Sequence, residues 1–185
     1  KTISDYHPLN YAINIPEVVV HSSNIGSAKI AEKFGPSTQL KYLKYLGLMD
    51  KLSLELPELG RPQVRTDKKL LTTMTISYGH GISITPTHLA SATATIVNDG
   101  IKVNPTLLIS KSSKKNNRIF SNKTSKTMRS IMRLVVSNKN GTAKQAEASG
   151  YLVGGKTGTA EKVNPAGGYY KKQNIVALTS AFPMD

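Results

Sequence analysis

The amino-acid sequence predicts an α+β fold, with a helical part over about residues 24–147 and an antiparallel strand pair over about residues 152–183. Two observations carry this. Apolar residues recur three and four apart behind helix-starting punctuation near Asn24, Pro36, Pro86 and Asn122. Beyond Gly150 the pattern changes to short aliphatic runs, Tyr151-Leu152-Val153 and Ile175-Val176-Ala177-Leu178, on either side of the turn-forming Asn164-Pro165-Ala166-Gly167-Gly168. The 185 residues, 38% of them hydrophobic, suffice for one domain with its own core and argue against wholesale disorder.

Lys1 to Val20 reads as irregular or extended, because Pro8 and Pro16 discourage a helix. Ile25, Ala28, Ala31 and Phe34 then share a helix face, with Ser22 or Ser23 as N-cap and Gly35-Pro36 as stop. Pro36 opens a second helix through Leu40, Leu43 and Leu46, ended by Gly47. Leu52 to Gln63, with Pro57, Gly60 and Pro62, reads as a surface loop. Thr85-Pro86 is an N-cap followed by proline at the first helical position, and Leu89, Thr93, Ile96 and Val97 form the face of a helix ending at Gly100. Residues 101–109 look extended, and Lys111 to Asn117 is a loop or hairpin tip. Ser121 or Asn122 caps a last helix that turns Met128, Ile131, Met132, Val135 and Val136 inward, as core rather than as a cofactor contact.

The strands, about Leu152 to Lys162 and Asn174 to Phe182, should pair as a hairpin. Two strands alone are marginal in water, and open edges recruit partners. The pair is therefore expected to be poorly ordered, covered by the chain's own helices, or joined edge to edge with a second copy.

The net charge of +14 comes mostly from lysine and is scattered: Lys41 and Lys44, Lys68 and Lys69, Lys111 to Arg118, Lys171 and Lys172. No Arg-rich helix, RNA-binding signature or base-reading helix-turn-helix pattern accompanies it, so the reading is no nucleic acid. A solvated surface, or attraction to anionic cell-wall polymer or lipid headgroups, accounts for the charge. The absence of Cys excludes disulfides and thiolate metal sites. His7, His21, His80 and His88 show no ligand spacing and read as structural or surface residues, so no metal is expected. No apolar run is long enough to cross a bilayer, and no signal peptide is visible at Lys1.

Lys156-Thr157-Gly158-Thr159 is the stretch richest in chemistry. A strand ending this way presents a cation, two hydroxyls and a bare backbone. Gly158 has no Cβ, so a ligand backbone could lie flat there, while Lys156, Thr157 and Thr159 meet an anion. The plain alternative is a strand closing in a polar turn. His21-Ser22-Ser23-Asn24 has a plain alternative too, as helix punctuation.

Taken together, these two motifs resemble two of the three that mark serine acyltransferases reacting with penicillin. Four stretches extend the likeness: His21-Ser22-Ser23-Asn24-Ile25-Gly26, Ser77-Tyr78-Gly79-His80-Gly81-Ile82 with Thr85-Pro86, Ala94-Thr95-Ile96-Val97-Asn98-Asp99-Gly100, and Gly150 through Ala160. On these residues the chain resembles the transpeptidase domain of a class B penicillin-binding protein of the septal, cell-division type, a partial domain of β-lactamase-like fold. The resemblance implies serine acyl transfer onto peptidoglycan stem peptides, inhibition by β-lactams, and no cofactor. It implies that Ser22 relays a proton, that Asn24 bonds the substrate amide, and that Lys156 supplies positive potential. It also implies that Thr157 and Thr159 bind the substrate carboxylate beside Gly158, with the Thr159 N–H forming half of an oxyanion hole. Divisome membrane proteins as partners, and a site on the periplasmic face of the bacterial inner membrane, follow from the same resemblance.

The family's nucleophile belongs to a Ser-x-x-Lys motif upstream of Ser-x-Asn, and none precedes Ser22 here. The one match by spelling, Ser112-Ser113-Lys114-Lys115, sits in a polar run where a lysine would stay charged, so it is not expected to be catalytic. The chain thus reads as a piece cut after the nucleophile helix and after an N-terminal anchor, inactive alone. Three other readings stay open: a serine β-lactamase or β-lactam sensor domain, a basic nucleic-acid-binding module, and a piece that serves only for interaction. The Ser77 to Gly81 stretch with Thr85-Pro86 favours the biosynthetic branch.

Overall fold

In a computed structural model, residues 2–109 and 117–185 are described. Ser112, and the Lys111 to Asn117 loop but for its last residue, lie outside them. The order of elements is α1 (Ile15–Val20), α2 (Asn24–Tyr45), β1 (Gln63–Val64), α3 (Leu70–Ile76), β2 (Ile82–Ser83), α4 (Pro86–Val97), α5 (Asn122–Ser137), one 3-10 turn (Lys144–Ala146), β3 (Gly154–Val163) and β4 (Tyr169–Ala181). The class is α+β, as the periodicity predicts. β3 and β4 form an antiparallel pair with Lys156 opposite Thr179 and Thr159 opposite Val176. A second, minimal pair joins β1 to β2 within the helical part.

One expectation is corrected at the start of the chain. Lys1 to Val20 is not wholly irregular, because α1 forms over Ile15–Val20. Pro16 falls in the first helical turn, where its missing N–H costs nothing. Asn14 and Glu17 complete a reciprocal capping box, Asn14 Oδ1 accepting from Glu17 N at 3.0 Å and Glu17 accepting from Asn14 N at 2.8 Å. Proline marks a helix start here rather than its absence. The strand bounds also shift, to Gly154–Val163 and Tyr169–Ala181. α3 has no counterpart in the sequence reading.

The helix starts follow local chemistry. Ser23 caps α2, accepting from Gly26 N at 2.9 Å. Gly35 breaks this helix with φ 75° and ψ 172°, and Pro36 restarts it. Thr85 caps α4 and Ser121 caps α5. His88 is buried, and both ring nitrogens are bonded: Nε2 to Asp50 O at 3.0 Å and Nδ1 to Thr85 Oγ1 at 2.7 Å. A carbonyl only accepts, so Nε2 carries the proton and Nδ1 accepts from the threonine. His88 is thus a structural residue.

The core centres on α5. Val135 and Val136 cluster with Val20 and Ala143, and Val19 and Ala146 pack against them. α5 also satisfies the end of α4: Ser125 Oγ donates to Ile96 O at 2.6 Å and Arg129 donates to Val97 O at 2.8 Å. Among the described residues the extended stretch after Gly100 joins neither strand pair and makes an isolated antiparallel bridge from Ile101 to Arg118. It is also clipped to α4, with Ser91 Oγ donating to Val103 O at 2.6 Å and Val103 N donating to Thr95 Oγ1 at 3.0 Å. Thr95 is fully buried and passes its own proton to Ser91 O at 2.9 Å. Thr95→Val keeps the shape and removes the acceptor for Val103 N. It should destabilise the fold by about 1–3 kcal/mol, read as a lower urea midpoint with an unchanged slope.

Candidate functional site

Ser22 follows α1 in a left-handed conformation, φ 57°, and is solvent-exposed. Its N–H donates to Val19 O at 3.3 Å, closing the helix end. The turn lets the chain reverse into α2 while leaving the Ser22 hydroxyl outside the cap, which Ser23 provides. Behind it, Asp5 clasps the first turn of α2, accepting from Ser23 Oγ at 2.9 Å and from Ile25 N at 3.0 Å. Asn24 donates to Ser4 O at 2.9 Å. Gly26 is needed because a Cβ there would approach Val18 Cγ2 to 2.5 Å. The His21 to Gly26 motif is therefore wedged between α1 and the N-terminal segment.

Lys156 arrives on β3. Its Nζ donates to Ser22 Oγ at 2.7 Å and to Thr157 O at 2.8 Å. The two residues lie 134 apart in sequence. Burial holds the ammonium below the usual lysine range. With Lys156 donating to it, the Ser22 oxygen keeps its own proton to give elsewhere. Thr157 Oγ1 donates to Thr142 Oγ1 at 2.9 Å, and Thr159 is exposed. The structure thus brings Ser22, Lys156 and Thr157 together with Thr142. The Asn24 amide gives one of its two N–H groups to the N-terminal segment.

Thr142 is the residue the sequence reading missed. It sits between α5 and the 3-10 turn, its N–H donating to Val20 O at 3.4 Å. Gly141-Thr142-Ala143 forms a glycine-led turn a few residues after α5, and no local spacing marks its bond to Thr157. A Cβ on Gly141 would overlap the Val135 carbonyl, so the glycine lets this turn fold back on α5.

The glycines of β3 divide by role. A Cβ on Gly154 would come within 2.8 Å of Met184 and 3.0 Å of the Arg133 nitrogen, and one on Gly155 within 2.6 Å of Thr179 O. Both are required by packing. A Cβ on Gly158 would meet nothing within 4 Å. Nothing in the fold demands that glycine, and a backbone lying against the strand would. Among the described residues β3 pairs with β4 alone, so its outer edge offers unpaired backbone groups to such a ligand.

Among the described residues no group of three or more His, Cys, Asp or Glu gathers, and no helix is long and apolar enough to cross a membrane.

The lowered Lys156 pKa has a stability consequence. The unfolded chain holds that proton up to the ordinary value of 10.5, whereas the folded chain releases it earlier. In the window below 10.5 the unfolded state binds more protons, so this residue makes stability rise with pH there. Urea denaturation across the alkaline range should show that rise in the wild type. Lys156→Met should reduce it, and equal slopes would contradict the assignment.

The penicillin-binding protein transpeptidase domain model matches residues 1–185. A probable peptidoglycan D,D-transpeptidase FtsI of Caulobacter vibrioides is 39% identical over all of this chain, which spans 32% of that relative's length. Stage V sporulation protein D of Bacillus subtilis is 31% identical over 91% of the chain and 28% of its own length. The transpeptidase domain of Burkholderia pseudomallei penicillin-binding protein 3 superposes with TM-score 0.84 at 30% identity, over 91% of this chain and 51% of that one. Penicillin-binding protein 3 of Mycobacterium tuberculosis in complex with ampicillin superposes with TM-score 0.86 at 25% identity, over 92% of this chain and 42% of that one. The chain spans about a third of the curated relatives' length and half of the solved transpeptidase domain. The chain belongs to the penicillin-binding protein transpeptidase family, in its class B branch.

Proposed function

We propose that this chain supplies the proton-relay and carboxylate-binding half of a peptidoglycan D,D-transpeptidase site. The observation that carries the proposal is the 2.7 Å bond from Lys156 Nζ to Ser22 Oγ. In this reading a serine from outside these 185 residues gives its proton to the lysine of its own Ser-x-x-Lys motif and attacks the carbonyl carbon of a D-Ala-D-Ala bond. The tetrahedral centre collapses as the C–N bond breaks, and the departing amine needs a proton. Ser22 donates its hydroxyl proton and is refilled from Lys156. The amine of a second stem peptide then attacks the acyl-enzyme ester and loses a proton by the same route in reverse; the ester C–O bond breaks, and the serine oxygen takes its proton back from the lysine of its motif. Lys156 also holds positive potential beside the developing negative charge. Thr157 and Thr159 bond the terminal carboxylate, and the strand edge at Gly158 receives the peptide backbone. A β-lactam, whose carbonyl and carboxylate mimic the dipeptide, would enter the same place. The reading puts the site on the periplasmic face of the inner membrane, with divisome membrane proteins as partners of the whole protein.

The test uses the whole protein that carries this chain and a fluorescent penicillin. Ser22→Ala and Lys156→Ala should each slow acylation by about 100-fold or more without abolishing folding. An unchanged rate in Lys156→Ala overturns the assignment. The 185-residue chain alone should remain unlabelled, and an adduct on Ser112 would relocate the nucleophile.

A further inference from the structure

A cavity of about 430 Å³ adjoins the site. His7, Tyr11, His21, Lys139, Thr142 and Lys144 line it, and among the described residues no carboxylate does. Glu147, three residues beyond Lys144, is ion-paired with Arg133 at 2.7 Å. Among the described residues neither Lys139 nor Lys144 forms an ion pair. Lys139 and Lys144 therefore give the recess a positive charge that no lining carboxylate offsets.

Its wall is continuous with the site. His21 directly precedes Ser22, and Thr142 accepts the bond from Thr157. The lysine-bearing turn is a defined structure, with Gly141 N donating to Asn138 O at 2.8 Å and Lys144 N to Gly141 O at 3.3 Å. A recess of this charge repels an ammonium and attracts a carboxylate. Thr157 and Thr159 already serve the carboxylate of the first peptide. The second peptide must hold its amine as the neutral base beside Ser22, and a carboxylate elsewhere on it would be drawn to the lysines of the recess.

We infer that this recess binds a carboxylate of the acyl-accepting peptide and so directs its amine toward Ser22, an inference that rests on the transpeptidase reading. The test is an NMR titration of this chain with glycyl-D-alanine, its carboxamide and inorganic phosphate. The free carboxylate should shift the amides of His21 and of residues 139–144, and the carboxamide should bind about tenfold more weakly. Lys139→Gln combined with Lys144→Gln should remove that preference. Both side chains are exposed, so the fold should survive. Equal affinity for the two peptides, shifts confined to other residues, or phosphate binding as tightly as the peptide would each overturn the inference. The penicillin acylation rate of the whole protein should be unchanged by the double substitution, because that step needs no acceptor. A chain that binds the carboxylate peptide in the recess, within a whole protein that penicillin does not acylate, would overturn the transpeptidase reading and leave the recess standing.

Discussion

Everything at the site is measured from α5. Val20 packs on Val135 and Val136, and Ser22 stands two residues beyond it. Gly154 lies against the Arg133 backbone, and Lys156 stands two residues beyond that. One helix therefore sets the position of both ends of the Lys156–Ser22 bond. Arg133 reinforces the arrangement by donating to Val153 O at 2.9 Å while its guanidinium grips Glu147. The hydrogen bond between sequence-distant residues is the outcome of two short packing contacts on a shared support. Interiors this close-packed transmit such constraints because neighbouring groups have little room to yield.

The sequence was most legible where local chemistry decides the outcome. Ser121, Thr85 with Pro86, and the Gly35-Pro36 break each act within a few residues, and each stands where its chemistry places it. α1 was missed because a proline counted against a helix when its position in the first turn favoured one. α3 was missed because Leu70 to Ile76 carries three threonines, poor helix formers, and tertiary packing overrides that preference: Thr72, Thr73 and Ile76 are buried, and Gln39 donates to Thr73 O at 2.9 Å. Of the candidate site, Ser22 and Lys156 were each singled out through the family resemblance. The part of Thr142 was not visible, because its neighbour is 15 residues away on a strand and no local spacing encodes that bond.

The hairpin is anchored unevenly. Its Gly154 end is buried against α5, and Thr179 meets Thr93 of α4 at 3.2 Å. Toward the turn, Val163, Ile175 and Val176 are more than half exposed. Its only described tie there is a bond of 3.5 Å from Tyr169 Oη to His80. Exposed aliphatic residues on a two-stranded sheet are the kind of surface that further chain or a ligand covers. The chemistry-bearing residues Lys156 and Thr157 lie at the firmly held end, where position is best defined.

Gly158 differs from its neighbours in what selection can see there. A change at Gly154 or Gly155 would be removed by misfolding before its effect on any ligand mattered. A small side chain at Gly158 meets no part of the protein, so its cost falls on whatever binds the strand. Such a position is open to evolutionary tuning. On the proposed reading of the site, a side chain there would discriminate between a flat peptide and a bulkier inhibitor, while the stability of the fold stays out of the exchange.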